Sequence, residues 1–106
     1  MSAVSETAFR KLTRADSDSG ANFVEFTKKR MIRTYPAATR FASGNYSPME
    51  VLSAGAQMVA LNFQSRDTPL EVYLGLFRDN GGCGYVLKPE FLRNRTSFSF
   101  FFNFYY

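Results

Sequence analysis

Met31-Ile32-Arg33-Thr34-Tyr35 is the run on which the reading of the fold turns. It is short, carries β-branched residues and stops at Pro36, so it predicts a strand. Alternation along that strand puts Met31, Arg33 and Tyr35 on one face and Ile32 and Thr34 on the other.

Downstream, a polar loop leads to Ser47-Pro48-Met49-Glu50, which predicts a helix start with Pro at the first helical position. Gln57-Met58-Val59-Ala60-Leu61-Asn62-Phe63 is a nearly continuous apolar run bounded by Gly55 and Gln64. Such a run predicts a strand buried on both faces. Asn80-Gly81-Gly82 predicts a turn, and Gly84-Tyr85-Val86-Leu87-Lys88 a last strand closed by Pro89.

Upstream, Ser5 is placed to cap a helix with Glu6 in its first turn, where the helix dipole favours an anion. Ala8, Leu12 and Ala15 make an i, i+4, i+7 stripe that Phe9 widens. Asp16-Ser17-Asp18-Ser19-Gly20 ends that stretch with turn-forming residues. Asn22 is placed to cap a second helical piece in which Phe23, Phe26 and Arg30 share a face. Its last turn carries Lys28, Lys29 and Arg30. Helix and strand alternate, which predicts a parallel-sheet α/β architecture. No internal repeat is evident.

Composition narrows the chemistry. The chain has 106 residues, a net charge of +4, no histidine and a single cysteine, Cys83. Histidine acid-base catalysis, a Ser-His-Asp or Cys-His site and a Cys/His zinc site cannot be built from these residues alone. One cysteine forms no internal disulfide, so a reducing compartment is expected. Without a histidine partner, Cys83 reads as a packed structural thiol. No apolar run approaches the ~18 residues of a membrane span, and Met1-Ser2-Ala3-Val4 does not open a signal peptide.

Aromatics are unevenly spread. Of 18 Phe and Tyr residues, seven fall in the last eleven positions, Phe98, Phe100, Phe101, Phe102, Phe104, Tyr105 and Tyr106. Residues 1–95 and 96–106 are therefore read as separate segments. A complete eight-unit α/β barrel takes ~250 residues, or ~30 per strand-helix unit. Residues 1–95 supply about three units and part of another, so they are expected to form part of a domain.

The stretch from Arg33 to Arg93 resembles the Y-box half of the catalytic domain of eukaryotic phosphoinositide-specific phospholipase C, most like the delta class. The matching text begins with Arg33-Thr34-Tyr35-Pro36 and Ser43-Gly44-Asn45-Tyr46-Ser47-Pro48. It continues with Gln57-Met58-Val59-Ala60-Leu61-Asn62-Phe63-Gln64 and Val72-Tyr73-Leu74-Gly75. It ends with Asp79-Asn80-Gly81-Gly82-Cys83-Gly84-Tyr85-Val86-Leu87-Lys88-Pro89-Glu90-Phe91-Leu92-Arg93. Met1-Ser2-Ala3-Val4-Ser5-Glu6-Thr7 looks like the strand end that opens the family's Y box. The resemblance covers residues 1–95, and 96–106 fall outside it as an aromatic-rich tail.

The resemblance implies an α/β fold, the C-terminal half of a distorted TIM-type (β/α)8 barrel split into X and Y boxes. The intact family barrel hydrolyses phosphatidylinositol 4,5-bisphosphate to diacylglycerol and inositol trisphosphate. It uses calcium to lower the pKa of the inositol 2-hydroxyl, and two histidines as acid and base. Calcium ligands and histidines belong to the X half, so no catalytic or metal residue is expected on this chain. The Y half recognises substrate. Arg33 matches the arginine that binds the 4-phosphate, and Tyr35 the tyrosine that packs on the inositol ring. The family's phosphate-binding serine is replaced by Ala3, with Ser2 and Ser5 expected on the opposite face. The implied partners are the phosphoinositide headgroup, a membrane surface and the X half, in a cytoplasmic protein peripheral at the membrane.

Blander readings stand beside these. Without the resemblance Arg33 reads as an ordinary surface strand arginine, and core packing is the rival reading of Tyr35. Lys28-Lys29-Arg30 suits an anionic membrane or simply complements a helix end. A catalytically inactive half-barrel that competes for the X half or for membrane is a second functional class. A basic nucleic-acid binder is a third, but the charge is spread along the chain without a recognised motif, so no nucleic-acid partner is expected.

Overall fold

The computed structural model describes residues 1–94. The aromatic tail assigned to 96–106 lies outside the described residues. Three short strands, β1 (Ser2–Ser5), β2 (Ile32–Tyr35) and β3 (Met58–Val59), form one sheet in the order β1-β2-β3. Both pairs are parallel. Helices α1 (Glu6–Arg14) and α2 (Ser19–Lys29) connect β1 to β2, and α3 (Pro48–Ser53) connects β2 to β3. Then come α4 (Thr68–Leu76), a 3-10 turn at Asn80–Gly82 and α5 (Glu90–Arg93).

Local chemistry explains most of the helix starts. The Ser5 hydroxyl accepts from the Ala8 amide at 3.1 Å, one of the N–H groups the first turn of α1 leaves unpaired. Pro48 opens α3, where its missing N–H costs nothing. Asp67 caps α4 by accepting from the Leu70 amide at 3.2 Å, with Pro69 in the first turn.

One face of the sheet is sealed. Ile32 and Thr34 are buried on it, and Phe9, Phe23, Tyr46, Val51, Ala56 and Val59 pack around Ile32. Phe9 and Phe23 meet edge to face with ring centroids 5.3 Å apart, joining α1 to α2. The opposite face is open: Ala3, Arg33 and Tyr35 are all exposed. The alternation expected for residues 31–35 therefore holds along the whole of β2.

Several expectations are corrected. On α1 the inward residues are Glu6 and Phe9, while Leu12 is 54% exposed and Ala15 lies outside the helix. The helix turns so that Phe9 can reach Phe23, which leaves the expected stripe on the outside. On α2 the start is Ser19, with Asp18 in the cap position rather than Asn22. Its buried residues are Phe23, Val24 and Thr27. Phe26 faces outward, where the Arg30 guanidinium sits 5.4 Å from its ring centroid.

Within 57–63 only Met58–Val59 joins the sheet, and only Val59 is fully buried. The Ala60 amide still donates to the Thr34 carbonyl at 2.9 Å, but the Asn62 amide donates to Asn45 Oδ1 at 2.6 Å. That side chain takes the backbone bond a longer strand would need. Residues 84–88 form no strand at all, because among the described residues they have no ladder partner. Their period of two survives, with Tyr85 80% and Leu87 75% exposed and Val86 and Lys88 turned inward.

Cys83 is exposed rather than packed. It lies just after the turn, where Asn80 Nδ2 donates to its sulfur at 3.1 Å.

Candidate functional site

The site lies on the open face of the sheet, with Tyr35 at the carboxyl end of β2 and Arg33 two residues before it. Tyr35 thus stands where parallel α/β sheets present their functional groups. The ladder aligns Ala3 with Arg33 and Arg33 with Met58, so these three residues form one row across the sheet. Ser5 pairs with Tyr35 in the next row on the same face. Among the described residues the Arg33 guanidinium has no hydrogen bond or ion pair, and Tyr35 is 39% exposed. Arg33 and Tyr35 are thus brought together on one surface as the sequence predicts, two residues apart on one strand.

Ser5 was expected on the face opposite Ala3. It is instead on the same face, because residues two apart on a strand point the same way. Its hydroxyl is committed to the cap of α1. Ser2 does lie in the other row set, paired with Ile32.

Beneath the site the sheet is held by polar contacts. Thr34 Oγ1 and the Tyr46 hydroxyl are 2.8 Å apart in a fully buried contact, and burial pushes the Tyr46 phenol up. Gln57 ties the start of β2 to α2: its Oε1 accepts from the Ile32 amide at 2.9 Å. Its Nε2 donates to the Thr27 carbonyl at 2.9 Å and the Arg30 carbonyl at 3.3 Å. Asn45 Nδ2 donates to the Asn62 carbonyl and to Asp67 Oδ1, both at 3.0 Å.

Glu6 is the residue that sequence reasoning undervalued. It is only 3% exposed, yet it is fully partnered. Its Oε2 accepts from Arg40 Nε at 2.6 Å and from the Ala37 amide at 3.1 Å. Its Oε1 accepts from Arg40 Nη2 at 2.6 Å and lies 3.1 Å from Arg10 Nη1. The Arg40 hydrogen bonds hold its carboxyl below the usual carboxylate range against the opposing effect of burial. Arg10 and Arg14 both continue the network to Glu50. No local signal could have revealed the Glu6–Arg40 pair, because the two residues are separated by 34 positions.

Two surface concavities of about 510 and 410 Å³ run along α1, and neither is lined by Arg33 or Tyr35. The site is a surface, not a cleft. No three His, Cys, Asp or Glu side chains come together to hold a metal ion among the described residues. No described helix is long and apolar enough to cross a membrane. What this face offers chemically is an uncommitted guanidinium beside an aromatic ring. A planar guanidinium fork binds a phosphate through two parallel hydrogen bonds.

Comparison with known proteins gives this face a family. The profile described as "Phosphatidylinositol-specific phospholipase C, Y domain" matches residues 1–91. The chain is 53% identical over 83 residues to 1-phosphatidylinositol 4,5-bisphosphate phosphodiesterase delta-1 of Rattus norvegicus, covering 77% of this chain and 11% of that protein. It is 44% identical over 99 residues to the delta-4 phosphodiesterase of Macaca fascicularis, covering 92% of this chain and 12% of that protein. Among solved structures, PLC21 of L. pealei superposes with a TM-score of 0.80 at 42% identity, over 87% of this chain and 11% of that one. PLC21 of S. officinalis gives 0.78 at 45% identity over the same shares. The chain belongs to the phosphatidylinositol-specific phospholipase C family and corresponds to its Y domain. It spans about a tenth of the length of these relatives.

Proposed function

We propose that residues 1–95 are the Y half of a distorted TIM-type barrel and carry the headgroup-recognition surface of a phosphoinositide phospholipase C. In this reading the intact enzyme cleaves phosphatidylinositol 4,5-bisphosphate into diacylglycerol and inositol trisphosphate. Arg33 binds the 4-phosphate through its fork, and Tyr35 packs against the inositol ring. Ala3, where the family has a serine, leaves Arg33 without a hydroxyl beside it on the neighbouring strand.

The observation that carries the reading is the pairing of burial with register. A parallel sheet normally has both faces covered, and this one covers only the Ile32–Thr34 face. The open face holds Ala3, Arg33 and Tyr35 in adjacent rows, with the Arg33 guanidinium uncommitted among the described residues. Closing the sheet with an X half turns that face into a barrel interior whose mouth is at the strand ends.

This chain's own part in the reaction is to bind and orient. It has no histidine, so the acid and base of the reaction come from the X half. Calcium, expected in the intact enzyme, finds no ligand set among the described residues. The membrane surface is where the lipid substrate resides, so the enzyme works as a peripheral protein.

The test compares two lipids in a barrel reconstituted from this chain and an X half. Arg33→Ala should impair hydrolysis of the 4,5-bisphosphate while hardly changing that of unphosphorylated phosphatidylinositol. Equal losses on both lipids would overturn the assignment.

A further inference from the structure

We infer that Glu6, acting through Arg40 and the Ala37 amide, is a positioning residue that fixes the end of β2 and thereby the Tyr35 ring. The inference rests on the proposed role of Tyr35 and adds residues that do not touch substrate.

The geometry is a clamp at one point of the fold. Ser5, the last residue of β1, pairs with Tyr35, the last residue of β2. Beyond that pair the two chains diverge: β1 runs directly into α1, and β2 leaves through Pro36 into the 37–43 loop. Nothing in a parallel ladder holds the strand ends together past their last bond. Glu6 does so instead. Being the first residue of α1, it is one position beyond Ser5. Its carboxylate binds the Ala37 amide, two positions beyond Tyr35, at 3.1 Å. The same carboxylate accepts both arms of Arg40 at 2.6 Å, which folds the loop back over the strand end.

Burial makes the clamp stiff. A carboxylate this deeply buried needs all its donors, so the loop has few alternatives that keep Glu6 satisfied. The Tyr35 backbone is therefore held from both sides, by Ser5 in the ladder and by the Glu6–Ala37 bond beyond it. Holding a contact residue in its productive geometry matters because a misplacement of about 1 Å can cost on the order of a hundred-fold in rate.

Arg40 is the partner to alter, because it is partly exposed and lies outside the apolar cluster around Ile32. Kinetics are measured on the complex of this chain with an X half, using mixed vesicles containing either phosphatidylinositol 4,5-bisphosphate or phosphatidylinositol. Arg40→Ala should lower kcat/KM on both lipids about equally, by roughly ten-fold, since both present the inositol ring to Tyr35. Arg40→Lys should lose less, because it keeps a charge on Glu6 but not the fork. The deciding measurement is a double-mutant cycle with Tyr35→Ala. If Glu6 and Arg40 act through Tyr35, Arg40→Ala costs little more once Tyr35 is gone. Full additivity, or no loss from Arg40→Ala in the wild-type background, overturns the clamp. Should Tyr35→Ala itself leave both rates unchanged, the ring contact falls, and the clamp inference falls with it. The Arg33 assignment stands or falls separately on its own selectivity.

Discussion

Ala3 and Arg33 stand side by side in the β1–β2 ladder, on the open face of the sheet. A side chain at position 3 thus starts beside that of Arg33, and alanine adds no hydrogen-bonding group to the row. Arg33→Ala should remove a charge-assisted contact worth roughly 1.5–3 kcal/mol. That is about a 10- to 150-fold selective loss in kcat/KM on the 4,5-bisphosphate. Arg33→Lys should recover only part, since an ammonium lacks the planar fork.

The reverse change is equally informative. Ala3→Ser places a hydroxyl in the same row as Arg33, where a headgroup phosphate can accept from it. A net hydrogen bond of ~0.5–1.5 kcal/mol predicts about a 2- to 10-fold gain on the bisphosphate and none on phosphatidylinositol. Michaelis parameters on the two lipids decide it, and a gain shared by both would count against phosphate contact at this row.

Alone, the chain should neither hydrolyse lipid nor melt cooperatively. It contains no histidine to serve as acid or base, and its open sheet face and strand edges lack cover among the described residues. Purified chain assayed with calcium and phosphatidylinositol 4,5-bisphosphate should release no inositol trisphosphate above background. A sharp monomeric melting transition would contradict the half-barrel architecture.

Gly55 should tolerate no side chain. Its φ of +94° disfavours L residues, and a Cβ there would lie 2.4 Å from Thr27 Oγ1. That hydroxyl cannot readily give way, since it donates to the Val24 carbonyl at 2.8 Å and accepts from Lys88 Nζ at 3.1 Å. Gly55→Ala is expected to destabilise the reconstituted barrel by about 1–3 kcal/mol, read from denaturant midpoints.

Acid should loosen the Glu6 clamp. The Glu6 carboxyl is held below its ordinary value of 4.5, chiefly by the Arg40 hydrogen bonds. Between the folded and unfolded values the unfolded chain binds more protons, so stability rises with pH there. The contribution is complete above the ordinary value and disappears as pH falls through the depressed one. Wild-type and Arg40→Ala barrels should therefore differ in denaturant midpoint at pH 6 and converge in strong acid. A difference independent of pH would mean that Arg40 stabilises by something other than the ionised carboxylate.

How much was legible in the sequence depended on range. Pro36 as a stop, the Ser5 cap and Pro48 as a helix start each involve groups within a few residues, and all three stand in the structure. So does the turn at Asn80–Gly82, where Asn80 and Gly81 have φ of 58° and 68°. The run 57–63 misled because apolarity alone does not say how many of its amides find a ladder. Asn45, seventeen positions from Asn62, takes one of them. The extended run 84–88 kept its alternation but gained no strand, since a strand exists only where a neighbour pairs with it.

By itself, the sequence determined that Arg33 and Tyr35 share a face with Ile32 and Thr34 opposite, because strand alternation follows from the backbone of a single chain segment. It also determined that none of these 106 residues supplies an imidazole, whatever the fold. Only the tertiary structure decided which face is buried, that Ala3 and Met58 flank Arg33, and that Glu6 turns inward to hold Arg40 and the Ala37 amide. Those relations join segments about 25 to 34 residues apart. Their partners are selected by packing and by the need to satisfy a buried charge, and neither is written in any local stretch of the chain.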